Sequence, residues 1–157
     1  MNSVGMADHK GFTLVELVVV ISLIGIVVAI AAPRFFNRQT FDTRSFADTA
    51  ASMVRYAQKN AVAQHRDVYV VVGSNAISLC YDAGCGSYVK DPADGSNFTA
   101  TAPSGVAVSS SPSTFYFDYI GTPYPVPSGS TTTAATVTVS GDITTQITVE
   151  RETGYVH

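Results

Sequence analysis

The clearest pattern along the chain is an apolar run that does not alternate. Residues 12–32 contain only four positions that are not plainly apolar, Thr13, Glu16, Ser22 and Gly25. As a helix rising about 1.5 Å per residue, the run reaches about 32 Å, which matches a bilayer core of roughly 30 Å. Further on the spacing changes. From Phe46 the apolar positions Ala50, Met53, Val54, Ala57 and Ala61 recur every three or four residues, one face of an α-helix with Arg55, Gln58 and Lys59 opposite. Between the two stretches, Pro33 lacks an amide hydrogen and clashes with the preceding turn, so a kink is expected there, with Gly25 as a second weak point. With both halves helical, residues 12–65 make an element of roughly 80 Å.

After Arg66 the period becomes two. Val68 to Val72 is β-branched and aromatic, Gly73-Ser74-Asn75 supplies a turn, and Ala76 to Tyr81 alternates through Ile77 and Leu79, which predicts a hairpin. Residues 90–97 are turn chemistry. A short strand is expected at Gly105 to Ser109 and a strong one at Thr114 to Ile120, ending at Gly121-Thr122-Pro123. Tyr124 to Thr133 reads as a loop rich in Pro, Ser and Thr. Ala135 to Ser140 and Ile143 to Arg151 form a last hairpin about Gly141-Asp142. Of the aromatic cluster Phe115, Tyr116, Phe117, Tyr119 and Tyr124, alternation sends about half inward. The rest is ordinary surface or, as the functional alternative, a carbohydrate-adhesive face.

Composition narrows the class. In 157 residues, 46% apolar and 13% charged exclude a disordered chain and leave room for one folded domain beyond the apolar run. The net charge of −3 is unevenly spread. Between Phe12 and Arg66 lie Arg34, Arg38, Arg44, Arg55, Lys59 and Arg66 against Glu16, Asp42 and Asp48, whereas beyond Arg66 only Lys90 and Arg151 face eight acids. Nucleic-acid binding rests on clustered Lys and Arg that neutralise phosphates, so an acidic distal domain argues against that partner, and the helix arginines read as a solvated face or a contact between copies.

One residue interrupts the apolar run in a way that demands a partner. A carboxylate inside a membrane helix costs about 2.5–3.5 kcal/mol on insertion scales. Phe12, Thr13, Val19 and Val20 bring Glu16 no cation within a helical turn, and Lys10 lies across Gly11 on the polar side. A newly made amine at Phe12 of a second, axially offset copy would serve, which is a way of stacking subunits.

Lys10-Gly11-Phe12-Thr13-Leu14-Val15-Glu16-Leu17, followed by an apolar helix ending in Ala31-Ala32-Pro33-Arg34-Phe35, resembles the class III signal of type IV pilins and type II secretion pseudopilins. The resemblance implies cleavage between Gly11 and Phe12 by the prepilin peptidase, N-methylation of Phe12, and Glu16 as the acid that sets register against a neighbouring subunit's N-terminus. Beyond Pro33 the chain is loosely similar to GspH/FimT-like minor pilins. Some FimT-like pilins bind DNA through a basic C-terminal surface, but residues 150–157, Glu-Arg-Glu-Thr-Gly-Tyr-Val-His, hold no such cluster. An ordinary secretory signal is the bland alternative, with Lys10 as its charged region, Leu17 to Ile30 as its apolar stretch and Ala29-Ile30-Ala31 before the cut. That reading leaves Glu16 without a purpose.

Lys10 on the short polar side predicts a cytoplasmic leader, with everything after Pro33 on the far side of the inner membrane. Cys80 and Cys85 then sit in an oxidising compartment, where they are expected to pair as a local staple, with free thiols as the alternative. Zinc is not expected, since there is no second cysteine pair and His9, His65 and His157 are scattered. Some pseudopilins bind calcium, yet Asp91, Asp94 and Asn97 lack the spacing of a calcium loop. Catalytic motifs are missing too: there is no Gly-x-Ser-x-Gly turn, His-Glu-x-x-His helix or phosphate loop, and an enzyme is not expected.

The expected architecture is an α+β pilin fold: leader 1–11, transmembrane or filament-core helix 12–33, amphipathic helix 34–66, and a β-rich domain 67–157 whose mainly antiparallel sheet has five to seven strands. The expected role is that of a structural subunit without cofactor or metal. It is cleaved and methylated, stored in membrane lipid, and assembled with other pilin or pseudopilin subunits on an inner-membrane platform. A minor subunit of a type IV pilus of the mannose-sensitive haemagglutinin kind comes ahead of a type II secretion pseudopilus. A pilus-borne binding module for DNA or surface glycans is the reading from a different class.

Overall fold

The computed structural model describes residues 12–36, 38–127 and 134–157. The first compact unit holds helix α1, Leu14–Phe36; the second is Gln39–His157. Thr13 starts α1 as its N-cap: its hydroxyl accepts the Glu16 amide at 3.2 Å, satisfying one of the first-turn donors that have no carbonyl to bond. Among the described residues this is the one helix long and apolar enough to cross a membrane. It runs through Pro33 to Phe36.

Helix α2, Arg38–Gln64, packs its apolar face on the sheets of the second unit. Every residue predicted for that face, Phe46, Ala50, Met53, Val54, Ala57 and Ala61, is buried. The helix ends as a Schellman turn, with the Arg66 amide donating to the Ala61 carbonyl at 3.2 Å and His65 in the left-handed region at φ 49°. Arg66 then lays its guanidinium over Tyr81, 3.6 Å from the ring centroid.

Eight strands follow: β1 Val68–Val72, β2 Ala76–Cys80, β3 Thr99–Thr101, β4 Ala107–Ser111, β5 Thr114–Phe117, β6 Pro123–Pro125, β7 Ala135–Ser140 and β8 Thr144–Val149. They form two sheets, β3-β2-β1-β5-β6 and β4-β7-β8, with every named pair antiparallel. Antiparallel pairing is as expected, but the single sheet of five to seven strands expected from the sequence is replaced by eight strands divided between two sheets. The expected loop at Tyr124 to Thr133 begins instead with edge strand β6, where prolines are tolerated because one side of the strand needs no ladder bonds. The strand expected through Ile120 stops at Phe117, because the Asp118 carboxylate accepts the Ile120 and Thr122 amides and turns the chain. The strand expected at Gly105 lies two residues later.

The inward residues of both sheets join α2 in one core: Val68, Val70, Ile77, Leu79, Phe115 and Phe117 from the larger sheet, Val108, Val137, Val139, Ile147 and Val149 from the smaller. Polar ties hold loops to the helix. Gln58, expected on the solvated face, donates its amide to the carbonyls of Gly121 and Thr153, both at 3.0 Å. Arg55 donates to the Val156 carbonyl at 3.3 Å.

Candidate functional site

The residues singled out at the N-terminus share the first turns of α1. Phe12 precedes the helix and is 80% exposed. Glu16 sits in the first turn, exposed, and among the described residues its carboxylate has no hydrogen-bond or ion-pair partner. A carboxylate near a helix N-terminus is favoured by the macrodipole, which offsets part of the cost of placing it in an apolar setting. Gly11 and Lys10 lie outside the described residues. Leu14 to Ile30 presents apolar side chains all round the helix, and Ser22 hides its hydroxyl on the Val18 carbonyl at 2.7 Å. Thr13 is the functional neighbour that the sequence reading passed over. Its signal was legible as Thr-x-x-Glu ahead of an apolar run.

This arrangement offers a helix end, an acid without a partner among the described residues, and a lipid-like surface. An ionised acid so placed can accept hydrogen bonds from a cationic donor.

Away from α1, Cys80 and Cys85 form a disulfide, as the sequence suggested. The loop it closes is built on Asp82, whose carboxylate accepts the amides of Gly84, Gly86 and Ser87 at 2.7–3.0 Å. Those bonds, the one from Gly86 foremost, hold the Asp82 carboxyl below its ordinary value. In the acidic turn, Asp91 accepts the Ala93 amide, Asp94 the Ser96 amide, and Asn97 the Lys90 ammonium. One oxygen of each is engaged locally, and among the described residues no three acids, histidines or cysteines gather as metal ligands. His157 pairs with Glu150 at 2.9 Å, far in sequence from His65 at the end of α2.

Comparison with known proteins bears on the N-terminus and the fold separately. Residues 6–32 match the family described as the prokaryotic N-terminal methylation motif. The chain is similar to the type IV narrow pilus major component PilA5 of Thermus thermophilus, 44% identical over 59 residues, 38% of this chain and 51% of that protein. It is 34% identical over 81 residues to a fimbrial protein of Pseudomonas aeruginosa, 50% of each. The chain thus spans about half the length of these relatives. In fold it is similar to the type IV minor pilin FimU of Pseudomonas aeruginosa, with a TM-score of 0.53, 16% identity and coverage of 78% of this chain and 90% of that one. The minor pseudopilin EpsH of the type 2 secretion system of Vibrio cholerae gives a TM-score of 0.55 at 12% identity, over 74% and 94%.

Proposed function

We propose, from a chain whose motif, relatives and fold are those of the type IV pilin and pseudopilin family, that it is a minor structural subunit of a type IV pilus or secretion pseudopilus. Prepilin peptidase cleaves between Gly11 and Phe12 and methylates the new Phe12 amine. The subunit waits in the inner membrane on α1, with its β-rich domain on the far side. An assembly platform then moves it into a filament, where apolar helices leave lipid for each other. Pro33 removes one helix hydrogen bond and supplies the bend that lets α1 pack in that core.

The observation that carries this reading is Glu16: an exposed acid in the first turn of an otherwise apolar, membrane-length helix, with no partner among the described residues. The methylated amine of an adjacent subunit satisfies it. A mispaired copy leaves a charge unsatisfied in a dry core, at a cost of several kcal/mol, which fixes axial register. A minor rather than a major role is supported by the fold, which is similar to a minor pilin and a minor pseudopilin.

Intact mass and N-terminal sequencing of the protein recovered from its host's membranes test the processing. A chain beginning at Phe12 with one added methyl is expected; one beginning near Ala32 means a removable signal and ends the reading. Glu16→Ala is expected to be processed normally yet lost from filaments. Its normal recruitment would remove the register role.

A further inference from the structure

The outer face of the five-stranded sheet carries a feature that neither processing nor assembly uses. Tyr69, Tyr116 and Tyr124 stand in one row across β1, β5 and β6, each opposite the next. Their ring centroids are 5.0 and 5.5 Å apart, with planes 32° and 19° from parallel. The rings spend their faces on one another while remaining half-exposed. What they offer a partner is edges, phenol oxygens and the outer face of Tyr124 on the edge strand.

Carboxylates rim this row. Asp67 and Asp118 flank the Val68–Phe117 pair at the end of the same ladder, and Asp82 opens the disulfide loop beside Cys80, which pairs with Tyr69. Burial first, then the charges of Asp67 and Asp82, push the Tyr69 phenol up; burial and then Asp67 do the same to Tyr116. Among the described residues none of the three acids has an ion-pair partner.

We propose that this tyrosine row with its carboxylate rim is a docking surface for an arginine-bearing face of another protein. Charge complementarity selects the occupant. The chain beyond Arg66 sets eight acids against Lys90 and Arg151, a field that repels phosphate backbones and acidic partners. Rings already stacked on each other leave a sugar only the outer face of Tyr124. A guanidinium, by contrast, brings a planar fork of donors to a surface made of acceptors. Elsewhere in the same domain a guanidinium does settle on a tyrosine, Arg66 over the face of Tyr81 just past strand β2, and the outer face of Tyr124 is open to the same kind of contact. The inference stands whether or not the chain enters a filament.

The test uses the full chain in detergent micelles, labelled with 3-fluorotyrosine and followed by fluorine NMR, with each resonance assigned by a single Tyr→Phe replacement. An alternating glycine–arginine peptide is titrated in, with matched lysine and glutamate peptides and cellohexaose alongside. Saturable shifts at Tyr69, Tyr116 and Tyr124 with the arginine peptide are expected. Asp67→Asn with Asp118→Asn should weaken binding about fivefold, while the Tyr56 and Tyr81 resonances stay in place as a control on folding. Tyr116→Phe keeps the ring and loses the acceptor, so a smaller loss is expected there. No saturable shift, an equal response to the lysine peptide, or a response to cellohexaose instead would overturn the proposal.

Discussion

Two helices of similar length, 23 residues in α1 and 27 in α2, dispose of their apolar residues in opposite ways. In α2 the apolar positions fall on one stripe and vanish into the core: Val54, Ala57 and Ala61 are fully buried. In α1 they surround the helix, and Val27 and Ile30 are both 64% exposed. Burial of apolar area is the main favourable term in folding, at about 25 cal/mol per Å². The difference therefore teaches which problem each helix has solved. The sheets of its own chain answer α2, while α1 keeps an apolar surface of the kind that lipid or other apolar helices cover.

The largest expected effect tests that division directly. Phe117 is fully buried between α2 and the sheets, and Phe117→Ala should cost the domain about 3–5 kcal/mol. Val27→Ala in α1 should leave the domain's unfolding within about 0.5 kcal/mol of the parent. Urea unfolding of the full chain in mild detergent, followed by tyrosine circular dichroism, reads both. A comparable loss from Val27→Ala would break the comparison, because α1 would then be part of the domain's core.

A glycine pair sharpens it at a smaller scale. Gly154 has φ +65°, and a Cβ there would run into the Gly121 carbonyl, the Gln58 amide and the Phe117 ring. Gly154→Ala should cost about 2–3 kcal/mol, from backbone strain and the displaced ties to α2. Gln58→Ala, which drops its two bonds to Gly121 and Thr153, should cost about 1–2 kcal/mol. Gly25 in α1 has open space where its Cβ would lie, and Gly25→Ala should leave the domain's unfolding midpoint unchanged. Equal losses at Gly154 and Gly25 would contradict the packing described for both.

How far the fold was legible follows the same physics. Where burial imposed a period the sequence carried it: the α2 stripe, β1 and β7 stand where periodicity placed them. The elements missed carry little period. Strand β3 is Thr-Ala-Thr, and β6 is Pro-Tyr-Pro, edge pieces of three residues whose pairing is decided by neighbours distant in sequence. The division into two sheets is a tertiary fact of the same kind. At the N-terminus, Glu16 stands out from the sequence because an acid in an apolar run is costly wherever it sits, while Phe12 is marked only by the resemblance of the motif around it. The Thr13 cap was equally visible and went unread. The tyrosine row needed register, since Tyr69 and Tyr124 are far apart until β5 brings them together.

The smallest effect concerns pH, and it separates the regions because Asp67, Asp82 and Asp94 all lie in the β-rich domain. Asp82 and Asp94 are held below their ordinary value of 3.8 by amide hydrogen bonds, led by Gly86 and Ser96 respectively. A lowered folded pKa means the native state binds its proton later than the unfolded chain does. The stability these acids contribute is therefore present above pH 3.8 and lost as the pH falls through their folded values. Asp67 runs the other way. Desolvation, then the Asp118 charge, raises its pKa, so its ionised form burdens the native state at neutral pH and the burden lifts on acidification. Asp82→Asn should flatten the loss of the unfolding midpoint below about pH 4, while Asp67→Asn should raise the midpoint at pH 7 and lose that advantage in acid. If Asp67→Asn lowers the midpoint at pH 7, its carboxylate is held by a stabilising partner and is not open to a cation docking on the tyrosine row.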